Sequence, residues 1–348
     1  MRAMTVRPGQ KETAGVEEVP DPERHDGTLL VRGMAIGVCG TDREIANGTY
    51  GTPPPGEERL IIGHESLGEV LEAPAGSGFS PGDLVVGIVR RPDPLPCPAC
   101  AAGEWDMCRT DRFGERGIVR LHGYGSEHWQ VEPDFAVPIL PRLGKLGVLL
   151  EPASVLAKAW DQVDQISRRA FFQRGRALVT GAGPIGLMAC LLGAQRGYEV
   201  HVVDLARAGR KRDLAEDLGV RYHAGDAADI DVDVDVVIEC TGLGSVAHSA
   251  GQRLASGGIM CLTGIMNLDP ALDLDATTMN RNMVLHNQVL FGSVNAGRRH
   301  WEQAAGALAT ADPGWLSGLI TRRVPLTSWT DALDRHPDDI KVVVDLTG

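Results

Sequence analysis

Arg176-Ala-Leu-Val-Thr-Gly-Ala-Gly-Pro-Ile-Gly186 carries an apolar stretch into three glycines and on into Leu187-Met-Ala-Cys-Leu-Leu192. Glycines at 181, 183 and 186 suit a strand-to-helix junction, where the chain turns tightly, admits a pyrophosphate against its backbone and packs a helix on a sheet. The glycine spacing alone recurs in unrelated chains; between a strand and a helix it becomes a dinucleotide-binding signature. Downstream, Glu199 to Val203 and Val234 to Glu239 read as further buried parallel strands, with helices at Ile185 to Arg196 and Ala208 to Leu218. This alternation predicts a doubly wound parallel sheet, an α/β nucleotide domain, over residues 156–296.

Gly181, Gly183, Pro184, Ile185 and Gly186 are the candidate pyrophosphate cradle. Asp204 closes the next strand, where a carboxylate accepts hydrogen bonds from the adenosine ribose. A 2′-phosphate there meets a like charge, which favours NAD over NADP. Arg207, Arg210, Lys211 and Arg212 follow, and they are the cations that NADP would need. Thr241-Gly242, Gly264-Ile265 and Ser293-Val294 each follow a buried strand at the end where such sheets bind ligands. They are expected to line the nicotinamide half, with Asn295 beside them.

Outward from this core the texture changes. Residues 1–155 alternate short β-rich runs, such as Thr28-Leu-Leu-Val-Arg-Gly-Met-Ala-Ile and Leu84-Val-Val-Gly-Ile-Val, with glycine and proline. An irregular β-barrel carrying functional loops is expected there, joined by residues 297–348. A chain of 348 residues exceeds what one core usually organises, in keeping with two domains.

Potential metal ligands concentrate in the first half. Cys39, His64 and Glu65 after Gly63, and Glu151 offer a thiolate, an imidazole and two carboxylates, enough to hold Zn2+ with a position left for water or substrate. Cys97-Pro-Ala-Cys100, with Cys108 further on, has the short hops of a structural zinc loop. Only three thiols are present, and Asp93 is the nearest group able to supply a fourth ligand; otherwise the loop binds metal weakly or not at all. Cys190, Cys240 and Cys261 fall in expected core elements as small hydrophobes.

The formal charge of -12 disfavours polyanion partners, so nucleic acid is not expected. No apolar stretch is long enough to cross a bilayer, and Met1-Arg-Ala-Met-Thr-Val-Arg7 lacks a signal-peptide core. With seven cysteines read as reduced thiols, a cytoplasmic location is expected.

Taken together, these features resemble the zinc-dependent medium-chain dehydrogenases, in which a GroES-like β-barrel catalytic domain joins a Rossmann domain. Cys39-Gly-Thr-Asp-Arg-Glu44, Arg90-Arg-Pro92, Phe113-Gly-Glu-Arg-Gly-Ile118, His122-Gly-Tyr124 and Gly292-Ser-Val-Asn295 narrow the resemblance to the glucose (aldose) 1-dehydrogenase branch. The resemblance implies a catalytic zinc on Cys39, His64 and Glu65, with Glu151 as a direct or water-mediated ligand. It places Glu115, His286 and Asn295, with Glu151, at the sugar, and Thr41 at the reacting oxygen. The implied reaction is hydride transfer from C1 of a glucose-like aldose to NAD(P)+, giving a lactone. Relatives of this architecture imply a homo-oligomer, dimer or tetramer. Another polyol, cyclitol or sugar derivative is the nearest alternative substrate; a zinc-free reductase or a non-catalytic NAD(H)-binding protein is the more distant reading. The chain departs from the branch in lacking the first of four cysteines in the structural loop, and in carrying Asp204 where several relatives carry arginine.

Overall fold

The last strand of the chain, Lys341–Asp345, lies antiparallel on Leu29–Val38 with Val343 opposite Gly37, so the C-terminal segment extends a sheet begun near residue 29. The computed structural model describes residues 1–23, 25–265 and 276–347. It divides into one unit of Met1–Ser154 with Asn295–Gly348, and a second of Val155–Val294.

In the first unit a seven-stranded sheet runs in the order Ala136–Ile139, Leu84–Gly87, Glu65–Glu72, Leu29–Val38, Lys341–Asp345 and Ile320–Pro325, with His128–Val131 also paired to Leu29–Val38. Along Leu29–Val38 the burial first alternates and then becomes continuous from Ala35, because the strand passes from a half-covered face into the centre of the unit. Val31, Ile36, Leu67, Val85 and Trp129 pack there. This interior holds the functional side chains on short connections at the strand ends: Cys39 directly follows one central strand and Glu65 opens the next.

The second unit is a six-stranded parallel sheet in the order Arg221–Ala224, Glu199–Asp204, Arg176–Thr180, Val234–Glu239, Leu254–Leu262 and Val289–Gly292. The chain winds outward from Arg176–Thr180 to one edge and then returns to build the other half. The point of reversal lies beside the glycine turn, where open α/β sheets bind ligands. Residues Gly186 to Gly193 of the helix Pro184–Gln195 are all buried, which is why it lacks a polar stripe. Leu178, Val203, Val237 and Met260 form part of the core. The expected doubly wound sheet is therefore present, with the helix expected at Ala208 to Leu218 occupying Arg210–Asp217. No helix among the described residues is long and apolar enough to cross a membrane.

Candidate active site

Cys39 ends the extended run before the helix Gly40–Ala46 and caps it: its sulfur accepts the Thr41 amide at 3.2 Å, and its own amide donates to Asp42 Oδ2 at 2.9 Å. This reciprocal cap fixes both Cys39 and Asp42. His64 follows Gly63, whose φ of 93° and packing against Gly125 and Ile36 leave no room for a side chain. The turn delivers His64 Nε2 to 3.2 Å from Cys39 Sγ. On the other side of the ring, Nδ1 faces Asp42 Oδ1 at 3.4 Å. Burial opposes a charge on His64, but Asp42 and then Cys39 raise its pKa well above the ordinary value.

Glu65 points from the start of its strand into space that exists because residue 37 is glycine; a Cβ there would collide with the Glu65 carboxylate. Lys341, buried and reaching from the final strand, ion-pairs with that carboxylate and donates to Val38 O at 3.3 Å. Cys39, His64 and Glu65 each offer a ligand atom within 4.8 Å of the other two. A sulfur and a nitrogen bound to one tetrahedral Zn2+ sit about 3.5 Å apart, so this donor set fits a zinc ion. Glu151, in the first turn of Leu150–Ser167, lies outside that tight group. Burial and then the negative charge of Glu65 push its pKa up to about 7. Thr41 sits in the first turn of the helix that Cys39 caps.

A second polar cluster joins two of the expected sugar contacts. Glu115 Oε1 accepts from Arg90 Nε at 3.0 Å, Arg90 Nη2 at 2.8 Å and Asn295 Nδ2 at 2.8 Å. Asn295 holds a left-handed φ of 61°, and its side-chain oxygen accepts the Ala296 amide. Arg90, stacked 3.8 Å from the Phe113 ring centroid, was not read as part of this group. Its place in the quoted Arg90-Arg-Pro92 string was the signal, but a buried arginine shows itself only with its carboxylate.

Two expectations are corrected. His286 lies at the amino-terminal end of Leu254–Leu262, where its Nδ1 is 3.0 Å from Ser256 Oγ and its carbonyl accepts the Gly257 amide. Thr263 and Gly264 mark the opposite end of that strand, so within its own unit His286 stands away from the end where such sheets bind ligands. Asp93 does not join Cys97, Cys100 and Cys108, whose sulfurs lie within 4.8 Å of one another. Its carboxylate instead accepts from Leu95 N, Thr110 Oγ1 and Arg112 Nε at 2.9, 2.6 and 3.0 Å.

In the nucleotide unit, Gly181 has φ 80°, and its carbonyl packs against Gly186 where a Cβ would stand. Gly183 caps the helix that Pro184 and Ile185 begin, presenting an N-terminus suited to a pyrophosphate. Asp204 closes its strand and accepts from Ala182 N at 2.7 Å and Ala206 N at 2.9 Å, with Lys211 Nζ 3.4 Å away. Arg207 and Arg210 are exposed, and Arg212 pairs with Glu216. Gly264 packs directly on Gly242, Ile265 and Val294 are exposed, and Ser293 is buried.

Glu239 was missed. Buried at the end of its strand, it accepts from Thr180 Oγ1 at 3.0 Å, Thr241 N at 2.7 Å, the Thr241 hydroxyl and Gly242 N, so it shapes the Thr241–Gly242 turn. A glutamate closing the apolar run Val236-Val-Ile-Glu239 was the available sign.

Residues 25–141 match the alcohol dehydrogenase GroES-like domain and residues 144–346 the glucose dehydrogenase C-terminus. A glucose 1-dehydrogenase of Methanocella arvoryzae is 37% identical over 99% of both chains, and one of Thermoproteus tenax 38% identical over 99% of both. The structure of Haloferax mediterranei glucose dehydrogenase in complex with NADP, Zn and gluconolactone superposes with a TM-score of 0.92 at 32% identity, covering 100% of each chain.

Proposed function

This chain belongs to the glucose dehydrogenases of the zinc-dependent medium-chain family, and on that premise we propose that it oxidises C1 of a glucose-like aldose to a lactone with a nicotinamide dinucleotide as acceptor. The observation that carries the reading is the meeting of Cys39 Sγ and His64 Nε2, with Glu65 beside them, in a chain alike over its full length to glucose dehydrogenases. When bound, zinc supplies a Lewis acid that lowers the pKa of a sugar hydroxyl, and NAD(P)+ supplies the hydride acceptor.

The protein's own groups set up that chemistry. Asp42 holds the proton of His64 on Nδ1, leaving Nε2 to bind metal. Lys341 balances the charge of Glu65, and Glu151, pushed up to about 7 by burial and then by Glu65, would in its ionised form, its proton released to solvent, hold the metal directly or through water. Thr41 Oγ1 accepts a hydrogen bond from the reacting hydroxyl, takes its proton and releases its own towards solvent. Glu115 and Asn295, steadied by Arg90, hold the remaining hydroxyls. Aldose and NAD(P)+ become lactone, NAD(P)H and one proton.

Asp204 supports a preference for NAD, while Arg207 and Arg210 leave NADP accessible. The edge strand Val289–Gly292, with Leu290, Val294, Val284 and Leu285 exposed around it, supports self-association as a dimer or tetramer. All seven cysteines are free, which suits the reducing cytoplasm.

Rates on glucose, galactose, xylose, sorbitol and inositols, each with NAD and NADP, test the substrate reading. Aldoses should be the fastest group; oxidation confined to sorbitol or inositols would overturn it. Leu290→Glu should shift the sedimenting species towards monomer.

A further inference from the structure

A cavity of about 600 Å³ in the first unit is bounded by the residues after Gly15–Glu18, the strand His128–Val131 and the loop at His122. None of the metal ligands, sugar contacts or cofactor contacts named above lines it. Its size lies within the roughly 300–1,000 Å³ that small-molecule pockets span. Val19, Pro20, Ile61 and Val131 supply its apolar lining.

Among the polar groups that line it, Arg116 is a guanidinium without a carboxylate. Its Nη1 donates to His122 O at 3.3 Å and the group lies 5.6 Å from the Tyr124 ring centroid, but no ion pair among the described residues holds it. The other cations of the lining are engaged: Arg59 pairs with Glu17 at 2.7 Å, and the Met1 amine donates to Val19 O at 2.7 Å. A free guanidinium fork matches a carboxylate. Glu57 and Glu132 line the same cavity, each with one oxygen taken, by His122 Nε2 at 3.0 Å and by Arg91 at 3.1 Å. Their remaining oxygens suit hydroxyl donors and repel a second negative charge. Gln130 accepts from Thr28 Oγ1 through Oε1 at 3.2 Å, which leaves its amide N–H groups for an acceptor. One negative charge, several hydroxyls and a carbon chain for the apolar lining describe the complementary molecule.

His122 ties this cavity to the turn that carries His64. Its Nδ1 accepts the Ile61 amide at 3.1 Å, so the ring proton sits on Nε2 and is donated to Glu57. Gly123, also in the lining, donates to Ile61 O at 2.7 Å, and Tyr124 donates to Gly63 O at 2.8 Å, one residue before His64. We propose that the cavity binds a small hydroxycarboxylate, with its carboxylate on Arg116 and its hydroxyls on Glu57, Glu132 and Gln130, and that the occupant bears on the backbone that carries His64. On the aldose reading above, on which this step rests, such a molecule arises from the product. Water adds to the acyl carbon of the lactone, the ring C–O bond breaks with its oxygen keeping a proton, and the new acid releases one proton to solution. The cavity is then a product-sensing site.

Amide NMR of the 15N-labelled, zinc-loaded full-length protein tests the binding apart from catalysis. Gluconate should shift the amides of Gly123 and Gln130, while sorbitol and inorganic phosphate at equal concentration shift neither. Arg116→Gln should weaken gluconate binding roughly 10–100-fold, and Glu115→Gln should leave it as it is. Wild-type shifts confined to Glu115 and Asn295, or equal binding of sorbitol, overturn the site whether or not Arg116→Gln folds. In rate assays gluconate should lower kcat for glucose with the wild-type protein and not with Arg116→Gln. Inhibition that only raises KM overturns the link to the His64 turn. A protein that binds gluconate here but oxidises no aldose keeps the site and refutes its role as a product sensor.

Discussion

Asp42 Oδ1 faces His64 Nδ1 at 3.4 Å while Nε2 of the same ring stands 3.2 Å from Cys39 Sγ, so one carboxylate backs the imidazole whose far nitrogen meets the proposed metal ligand Cys39. Asp42 is itself buried and tied to the Cys39 amide, which makes the orientation rigid. Such a partner fixes the tautomer and raises ligand basicity. Asp42→Asn should weaken zinc binding by roughly 10–100-fold, read by competition with a chromophoric chelator. Unchanged affinity would show that Cys39 and the local backbone suffice.

The Lys341–Glu65 pair makes a separate claim about stability. Both residues are almost fully buried, and although burial lowers the Lys341 pKa, Glu65 raises it beyond the ordinary value. Lys341→Met leaves an uncompensated carboxylate and should destabilise the metal-free protein by about 3–5 kcal/mol in denaturant melts. Zinc should recover part of that loss by replacing the missing positive charge. Equal losses with and without zinc would place Glu65 away from the ion.

In the nucleotide unit, Asp204→Ala should move the ratio of kcat/KM towards NADP, because the like charge facing a 2′-phosphate is gone and Arg207 and Arg210 remain exposed. The zinc content should not change. A constant cofactor ratio would assign selection to the arginines alone.

His201 and His223 supply a pH dependence remote from the metal group. His201 Nδ1 lies 3.0 Å from His223 Nε2 with the rings stacked, and burial followed by His223 lowers the His201 pKa below its ordinary value of 6.5. Glu199 opposes that shift and Arg221 adds to it. The folded state thus binds fewer protons than the unfolded chain once the pH drops below the ordinary value. Stability from this pair is complete above 6.5 and is lost as the pH falls towards the depressed folded value. Thermal melts across that range should show His201→Gln losing less stability on acidification than the wild-type protein; parallel curves would refute the assignment.

Much of the nucleotide unit was legible in advance because its signals are local. Three glycines at fixed spacing, an acidic residue closing the next strand and apolar runs of strand length all lie within one βαβ stretch. Cys39, His64 and Glu65 were legible as residue types, since a thiol, an imidazole and a carboxylate after glycine point to metal. Their partners were not. Lys341 is 276 positions from Glu65, and only the antiparallel placement of the final strand brings them together. A lysine opening the buried run Lys341-Val-Val-Val344 was the trace it left. Asp93 and His286 were misplaced because proximity in sequence, or likeness to a motif, does not reveal which donors a side chain has already engaged.

The central claim is that a cation on Cys39 and His64 enables hydride loss from C1 of an aldose. Glucose deuterated at C1, offered with NAD+ to the zinc-loaded and zinc-stripped protein, addresses it directly by NMR of the products. The account predicts deuterium at C4 of the reduced nicotinamide together with gluconolactone, from the loaded wild-type protein and not from stripped protein or His64→Ala. Deuterium transfer at an equal rate without zinc, or none under any loading, would contradict it.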